Sequence, residues 1–325
     1  MLEKPHVFLS AYASGFSETT LSDSRGSMSY ASQGMNAPAT EKFRDPSLVD
    51  CGTGRRLELL GGVFVDRPLP LPDLPPRRLP HAWQAATATF TTTPGRAGSW
   101  HFSAPLPDPW LVHLPLSGLD SAALALEVRP APSGQLGVFL EQFDQWQWLH
   151  AATPRSARML SLFAHSGAAT LALAAAGAEV VHVDASRQAT ALARRNAAAS
   201  GLDTAPIRWL CEDARAFVAR EVRRGARYDG FVLDPPSWGH GPKGQAFSID
   251  RDLEPLLADL AVLGGRGFTA PLLLTCHSPR WHHRRLHDTL AETIGTATES
   301  GRLACRDASG RQLSLGDFAR SGPAA

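Results

Sequence analysis

Asp234 stands in the segment Leu233-Asp234-Pro235-Pro236-Ser237-Trp238, which joins an acid, two prolines and an aromatic to the apolar run Phe231-Val232-Leu233. Proline fixes φ and carries no N–H, so such a ledge is stiff and its carbonyls are not consumed by local donors. The Asp234 carboxylate and these carbonyls are therefore free to accept hydrogen bonds from a substrate, and Trp238 can stack on a planar group. Upstream, Phe163-Ala164-His165-Ser166-Gly167-Ala168-Ala169-Thr170 is a small-residue turn between a strand-like and a helix-like segment. Ser166-Gly167 permits close backbone approach, and the helix that follows presents free N–H groups. A dinucleotide cradle wants three spaced glycines. Here His165 and Ala169 stand at the flanking places, which argues against a pyrophosphate and for a ligand whose tail needs less room.

Further polar positions follow the same order along the chain. Asp184 ends Val180-Val181-His182-Val183-Asp184, where an acid can accept both hydroxyls of a ribose; otherwise Asp184 or Ser186 caps the helix behind it. Glu212-Asp213-Ala214 follows the strand end Trp209-Leu210-Cys211. A carboxylate there can accept from an adenine amino group, with Ala214 leaving room for the ring, or again cap a helix. Gly239-His240-Gly241-Pro242-Lys243-Gly244 suits a lid from which Lys243 reaches a phosphate or a nucleobase oxygen, or else a plain exposed connector. In Leu274-Thr275-Cys276-His277-Ser278-Pro279, a Cys276 thiolate could attack C6 of a pyrimidine and make C5 nucleophilic. His277 or the next helix start would lower its pKa; a lone cysteine on a buried strand is otherwise packing. The densest basic and aromatic cluster, Arg280-Trp281-His282-His283-Arg284-Arg285-Leu286-His287, suits phosphate contact led by Arg280, or is a solvated helix face. No carboxylate or cysteine lies at ligand spacing from its histidine pair, so no metal is expected.

These residues need a scaffold that brings several strand ends together. From residue 151 onward, apolar strands alternate with amphipathic helices: strand signals at 159–163, 179–183, 207–210, 228–233 and 271–276, and helix signals at 168–176, 186–200, 214–224, 251–263 and 284–294. That alternation predicts a doubly wound, Rossmann-like α/β domain over 151–325. Its parallel sheet is covered on both faces, closes on a hairpin at 302–305 and 312–315, and binds ligands at the strands' carboxyl ends. Residues 51–150 read as a smaller β-rich domain, with strands at 57–65, 86–92, 100–102, 124–128 and 138–140 and a helix beginning near Gln142. Its series Trp83, Phe90, Trp100, Trp110, Trp146 and Trp148 is either a small core or a base-stacking surface. Residues 1–50, rich in Ser, Ala, Gly and Thr, read as a disordered extension, with Met35 as a candidate natural start and residues 1–34 as an over-extended one.

Composition narrows the classes. The 325 residues are 43% hydrophobic, enough for a sizeable core, and the net charge of +1 announces no global field for nucleic acid, although a local patch suffices. Four scattered cysteines, no CxxC pair, no signal peptide and no run of about 20 apolar residues point to a reduced, cytoplasmic protein with no membrane association. Oligomeric state is not legible.

Leu160–Gly167, Val183-Asp184-Ala185-Ser186, Ala193-Arg194-Arg195-Asn196, Glu212-Asp213-Ala214, Tyr228-Asp229 and Leu233–Trp238 together resemble class I S-adenosylmethionine (SAM)-dependent methyltransferases. More narrowly, the run from Leu160 to Ser278 is similar to the bacterial 23S rRNA cytosine-C5 methyltransferase group. The resemblance implies SAM as cofactor. It places Phe163, Ser166 and Gly167 along the methionine part, Asp184, Ala185 and Ser186 at the ribose, and Asp213 and Ala214 at the adenine. Asp234 and Pro235 would face the methyl group and its target, with Cys276 as catalytic thiol and Trp238, Lys243 and Arg280 toward an RNA substrate. No match to that group's small RNA-binding module is found in residues 1–150, and His277-Ser278-Pro279 departs from its pattern after Cys276. Two alternatives stand beside RNA methylation: transfer to an exocyclic amine or a non-RNA substrate, and an inert SAM-fold protein that only binds RNA or a partner.

Overall fold

The computed structural model describes residues 43–69, 71, 75–92, 97–116, 123–241, 244–295 and 299–322. Residues 1–42, and with them most of the expected extension and the candidate start at Met35, lie outside the described residues. The first strand, β1 (Ser47–Gly52), begins inside the segment expected to be disordered. Leu48, Val49 and Cys51 are apolar and buried, and Asp50 between them is buried by many partners. Its carboxylate accepts from the Arg78 and Leu79 N–H groups, from Trp83 Nε1 at 2.8 Å and from Arg311 Nη2 at 2.7 Å.

A five-stranded sheet follows in the order β1-β2-β3-β4-β5, with β2 (Arg55–Leu60), β3 (Val63–Pro68), β4 (Ala88–Thr91) and β5 (Ser99–Phe102). The single strand expected over 57–65 is two strands, because Gly61 and Gly62 both take positive φ and fold it into a tight hairpin. A proline-flanked strand unnoticed in the sequence, β6 (Leu111–Pro115), pairs with β7 (Ala123–Glu127) as a separate ribbon. The strand expected at 138–140 is instead a short 3₁₀ turn, Leu140–Gln142, entering helix α1 (Phe143–Ala152). Trp83, Phe90, Trp110 and Trp146 are core residues rather than a stacking surface.

The larger sheet has seven strands: β8 (Arg158–Leu162), β9 (Glu179–Asp184), β10 (Ile207–Cys211), β11 (Gly230–Leu233), β14 (Leu272–Cys276), β15 (Glu299–Arg306) and β16 (Gln312–Ser321). Their order is β10-β9-β8-β11-β14-β16-β15. The first five are parallel, and β16 lies antiparallel between β14 and β15, so the expected closing hairpin is present. Strands β12 (Trp238–His240) and β13 (Ala246–Ser248) form a small ribbon after β11. Helices α2 (Ala168–Ala175), α3 (Arg187–Ala199), α4 (Ala214–Arg223), α5 (Ile249–Gly264) and α6 (His283–Ile294) cover the two faces. Alternation divides the core accordingly. Met159, Val180, Val232 and Leu273 pack toward α1, α2 and the β6–β7 ribbon, whereas Leu160, Val181, Phe231 and Leu272 pack toward α4, α5 and α6. No described helix is long and apolar enough to cross a membrane.

The ribbon is tied to the larger sheet by polar contacts. Asn196 Oδ1 accepts from Glu127 N at 2.8 Å, Ser200 Oγ accepts from Ala125 N at 2.9 Å, and Arg195 pairs with Glu127. Beneath them His182, fully buried on β9, holds Thr170 Oγ1 at 2.9 Å through Nδ1, and Thr170 bonds Ser161 Oγ at 3.1 Å. Burial pushes the His182 pKa down to about 3. An unfolded histidine binds its proton near 6.5, so between these values the native state holds fewer protons than the unfolded chain. Stability from this site is full above about 6.5 and lost as pH falls toward about 3. Urea unfolding of His182→Gln is expected to show a shallower acid dependence than wild type, by up to about one proton between about pH 4 and 6; equal slopes would refute this.

Candidate active site

Chain order reverses between β8 and β11, which run side by side although three helices and two strands separate them in the chain. A crevice forms at such a switch point outside the carboxyl ends of the strands. Here it is a cavity of about 1110 Å³, walled on one side by Phe163, Ser166, Asp184, Ala185, Ser186, Asp213 and Ala214 and on the other by the ledge from Asp234 to Trp238. Residues from the carboxyl ends of four neighbouring strands, β8, β9, β10 and β11, thus meet, as their order along the chain predicts.

The turn after β8 is wound tightly. Phe163, His165 and Gly167 take φ of 53°, 44° and 86°, three left-handed residues within five. Asp184 locks it: its Oδ2 accepts from His165 N at 2.8 Å and its Oδ1 from Ser186 N at 2.8 Å. Each oxygen keeps a further lone pair, and Asp184 is among the residues lining the cavity. Burial holds the Asp184 pKa above the ordinary aspartate value and the His165 pKa below that of a free imidazole. Ser166 Oγ donates to Gly137 O at 2.7 Å, and Asn196 Nδ2 donates to Ser166 O at 2.9 Å, so the loop is clamped from both sides. Gly167 itself does not line the cavity; it starts α2, with Ala193 packed against it.

Capping is realised as well. Ser186 caps α3 by accepting from Ala189 N, and Asp213 caps α4 by accepting from Ala216 N at 3.0 Å. Arg215 Nη2 reaches Asp213 Oδ2 at 3.1 Å and Nη1 reaches Asp252 at 3.0 Å. Asp213 keeps limited acceptor capacity, and the first-turn N–H of Ala214 beside it has no intrahelical partner. Glu212 pairs with Arg220 and takes no part in helix capping.

On the opposite wall Asp234 is held from two sides. Thr275 Oγ1 donates to its Oδ1 at 2.7 Å and Gln142 Nε2 to its Oδ2 at 3.0 Å. Trp238, 44% exposed, stands at the mouth with His240 edge-on at 4.2 Å between ring centres. Gly239 and His240 of the glycine-rich segment lie in β12, and Gly241 approaches so closely that a Cβ there would lie 2.9 Å from Asp213 Oδ2. Lys243 lies outside the described residues.

Besides Gly167, two further expected residues are not brought to the cavity. Cys276 is 1% exposed on the opposite face of β14, with Sγ accepting from Ser278 N, and burial pushes its thiol up to about 11. It is packing, not a thiolate. Arg280 is not on the wall but pairs with Asp250, which also accepts from Trp281 Nε1 at 2.8 Å; Trp281 is a core residue. Conversely, Gln142, Thr275 and His277 line the cavity without having been singled out for it. For Thr275 and His277 the signal was present: side chains alternate along a strand, so the neighbours of a buried Cys276 must face the other way.

Comparison with known proteins now bears on this geometry. No family model matches the chain. A solved SAM-dependent methyltransferase from Agrobacterium tumefaciens is 34% identical and superposes with a TM-score of 0.77, covering 87% of this chain and 92% of that one. The chain belongs to the SAM-dependent methyltransferases. Within this family, 133 residues (40% of the chain) are 32% identical to ribosomal RNA large subunit methyltransferase I of Aeromonas hydrophila, and 128 residues are 30% identical to its namesake from Erwinia tasmaniensis. The methyltransferase spans about a third of the length of these curated relatives, 33% and 31%.

Gly167 offers a direct check on the loop. A side chain there combines left-handed φ with a Cβ 2.8 Å from that of Ala193. Gly167→Ala is expected to lower stability by about 2 kcal/mol and to weaken SAM binding, read by thermal shift with and without SAM. Unchanged behaviour in both would contradict the loop's dependence on this residue.

Proposed function

We propose that this methyltransferase transfers the methyl group of SAM to a nitrogen of an RNA nucleobase. The observation that carries the reading is Asp234: a carboxylate on a proline ledge, gripped by Gln142 and Thr275, facing the Asp184 loop across one cavity. SAM, when bound, supplies an electrophilic methyl carbon on a sulfonium. The residues present suit that molecule. Asp184 has one spare lone pair on each oxygen for the two ribose hydroxyls, with Ala185 and Ser186 beside it. Ala214 N–H and the rim of Asp213 suit adenine, and Phe163 and Ser166 border the room left for the amino-acid tail.

Asp234 and the free carbonyls of Pro235 and Pro236 would accept hydrogens from an exocyclic amine and turn its lone pair toward the methyl carbon, while Trp238 stacks on an extruded base. RNA as the substrate class is supported by the names of the ribosomal RNA relatives and by the exposed indole at the mouth. A cytoplasmic setting is consistent with that substrate. Cytosine C5 is disfavoured as the target atom, since that carbon needs a thiolate and no cysteine is among the cavity's lining residues.

Tritiated SAM incubated with separated RNA, protein and small-molecule fractions is expected to label RNA, and nuclease digestion with mass spectrometry to return an N-methylated nucleoside. A C5-methylated pyrimidine, or label in another fraction, would overturn the reading. Asp184→Ala should weaken SAM at least about tenfold by calorimetry, as expected for lost hydrogen bonds to a charged acceptor. Asp234→Ala should abolish turnover while SAM affinity changes little; full activity in methyl transfer would remove Asp234 from its role.

A further inference from the structure

His277 continues β14 past Cys276, and its ring enters the space beside Asp234. Nδ1 lies 2.8 Å from the Leu315 carbonyl oxygen. A carbonyl can only accept, so Nδ1 carries a hydrogen and the lone pair of the neutral ring sits on Nε2. That Nε2 is sealed from solvent, has no hydrogen-bond partner, and lies 3.7 Å from Asp234 Oδ1. A buried polar atom without a partner is costly unless it serves a purpose. The fold also makes room for this ring, because a Cβ on Gly316 would come within 2.9 Å of Nδ1. A shift of under about 1 Å would bring Nε2 and Asp234 to hydrogen-bond distance.

We propose that His277 is a positioning and relay residue for Asp234, taking onto Nε2 the proton that Asp234 accepts from the methylated nitrogen. The nitrogen's lone pair forms the bond to the methyl carbon as the carbon–sulfur bond breaks and leaves its electron pair on sulfur. The nitrogen then gives a proton to Asp234 and keeps the N–H bonding pair. Asp234 passes a proton to His277, which leaves carboxylate and imidazolium side by side, and the proton returns through Asp234, which lines the cavity, to solvent as product departs. The groups facing His277 favour its charged form: Asp234 at the end of β11, Glu141 in the 3₁₀ turn and Asp317 on β16, with the Leu315 carbonyl anchoring Nδ1. They outweigh burial, and the His277 pKa is raised above the ordinary value. Below that raised value His277 is already protonated and cannot accept, so turnover should fall on the acid side.

The proposal rests on transfer to a proton-bearing nitrogen, and its test separates the two. Imidazole nitrogen resonances of the full chain, followed by long-range proton–nitrogen correlation, should show neutral His277 protonated at Nδ1. Its titration should move to lower pH in Asp234→Asn, by about one unit. With labelled SAM and RNA, His277→Asn retains an amide donor for Leu315 but lacks Nε2. It should reduce kcat about a hundredfold, leave KM and SAM affinity within about twofold, and erase the acid limb of the pH profile. His277→Gln, which places a polar amide near the Nε2 position but cannot take a proton, should stay as low in kcat as His277→Asn; recovery by Gln would overturn the relay. An Nε2-protonated tautomer, a midpoint indifferent to Asp234→Asn, or a wild-type pH profile in His277→Asn would overturn the relay. If RNA takes no label, the substrate reading fails, and the tautomer and the titration shift still decide the relay.

Discussion

The site depends on one carboxylate accepting two backbone hydrogens. Asp184 binds the N–H groups of His165 and Ser186, and by doing so holds a turn in which Phe163 and His165 adopt a conformation that costs an ordinary residue roughly 1–2 kcal/mol each. Without that anchor the chain leaving β8 has no reason to stay coiled over the strand ends. With it, the first turn of α2 and the start of α3 are fixed relative to each other, and Ser166 becomes reachable by Asn196 and Gly137. The same two hydrogen bonds fix the carboxylate of Asp184, which lines the cavity, and leave it unused lone pairs. One residue therefore shapes the wall and also lines it.

The opposite wall is assembled from further apart in the chain. Gln142 comes from the turn before α1, Thr275 and His277 from β14, and Asp234 from β11. The β7 strand is pinned to α3 by Asn196, Ser200 and Arg195, and the irregular chain that leaves it contributes Arg129, Gly137, Phe139 and Gln142 to the cavity lining. Asn196 reaches both walls' supports at once: its amide oxygen takes Glu127 N and its amide nitrogen takes Ser166 O. The amino-terminal β elements are coupled to the cavity through this polar seam, and Asp50 and Arg311 fasten them to the hairpin at the far edge.

Much of the larger domain was legible because its signals are local. Near-continuous apolar strands separated by amphipathic helices fix a parallel sheet, and the sheet fixes which turns share a rim, so the sequence alone groups Asp184, Asp213 and Asp234. The smaller domain was less legible. Gly61-Gly62 was passed over within one apolar run, although two adjacent glycines can both take the positive φ of a hairpin, and prolines around Leu111–Pro115 hid an edge strand. Asp213 shows a different limit: a helix cap and a ligand acceptor look alike in sequence, and here the cap is occupied while the residue still borders the cavity. Gln142 could not have been found, since its partner Asp234 is 92 positions away and no local pattern joins them.

The fate of Cys276 shows how strictly a sheet assigns chemistry. Strand β14 is held on both sides, parallel to β11 through Leu272–Leu274 and antiparallel to β16, where Cys276 faces Asp317. Leu272, Leu274 and Cys276 therefore belong to one face and Leu273, Thr275 and His277 to the other. Turning the thiol toward the cavity would need a one-residue slip, which would also drive two leucines out of the core and pull Thr275 and His277 away from Asp234. The register that removes a thiolate from the site is the same register that furnishes Asp234 with a hydroxyl and an imidazole. Among the described lining residues, a wall built this way offers no thiol. It favours a target that brings its own lone pair and has a proton to lose.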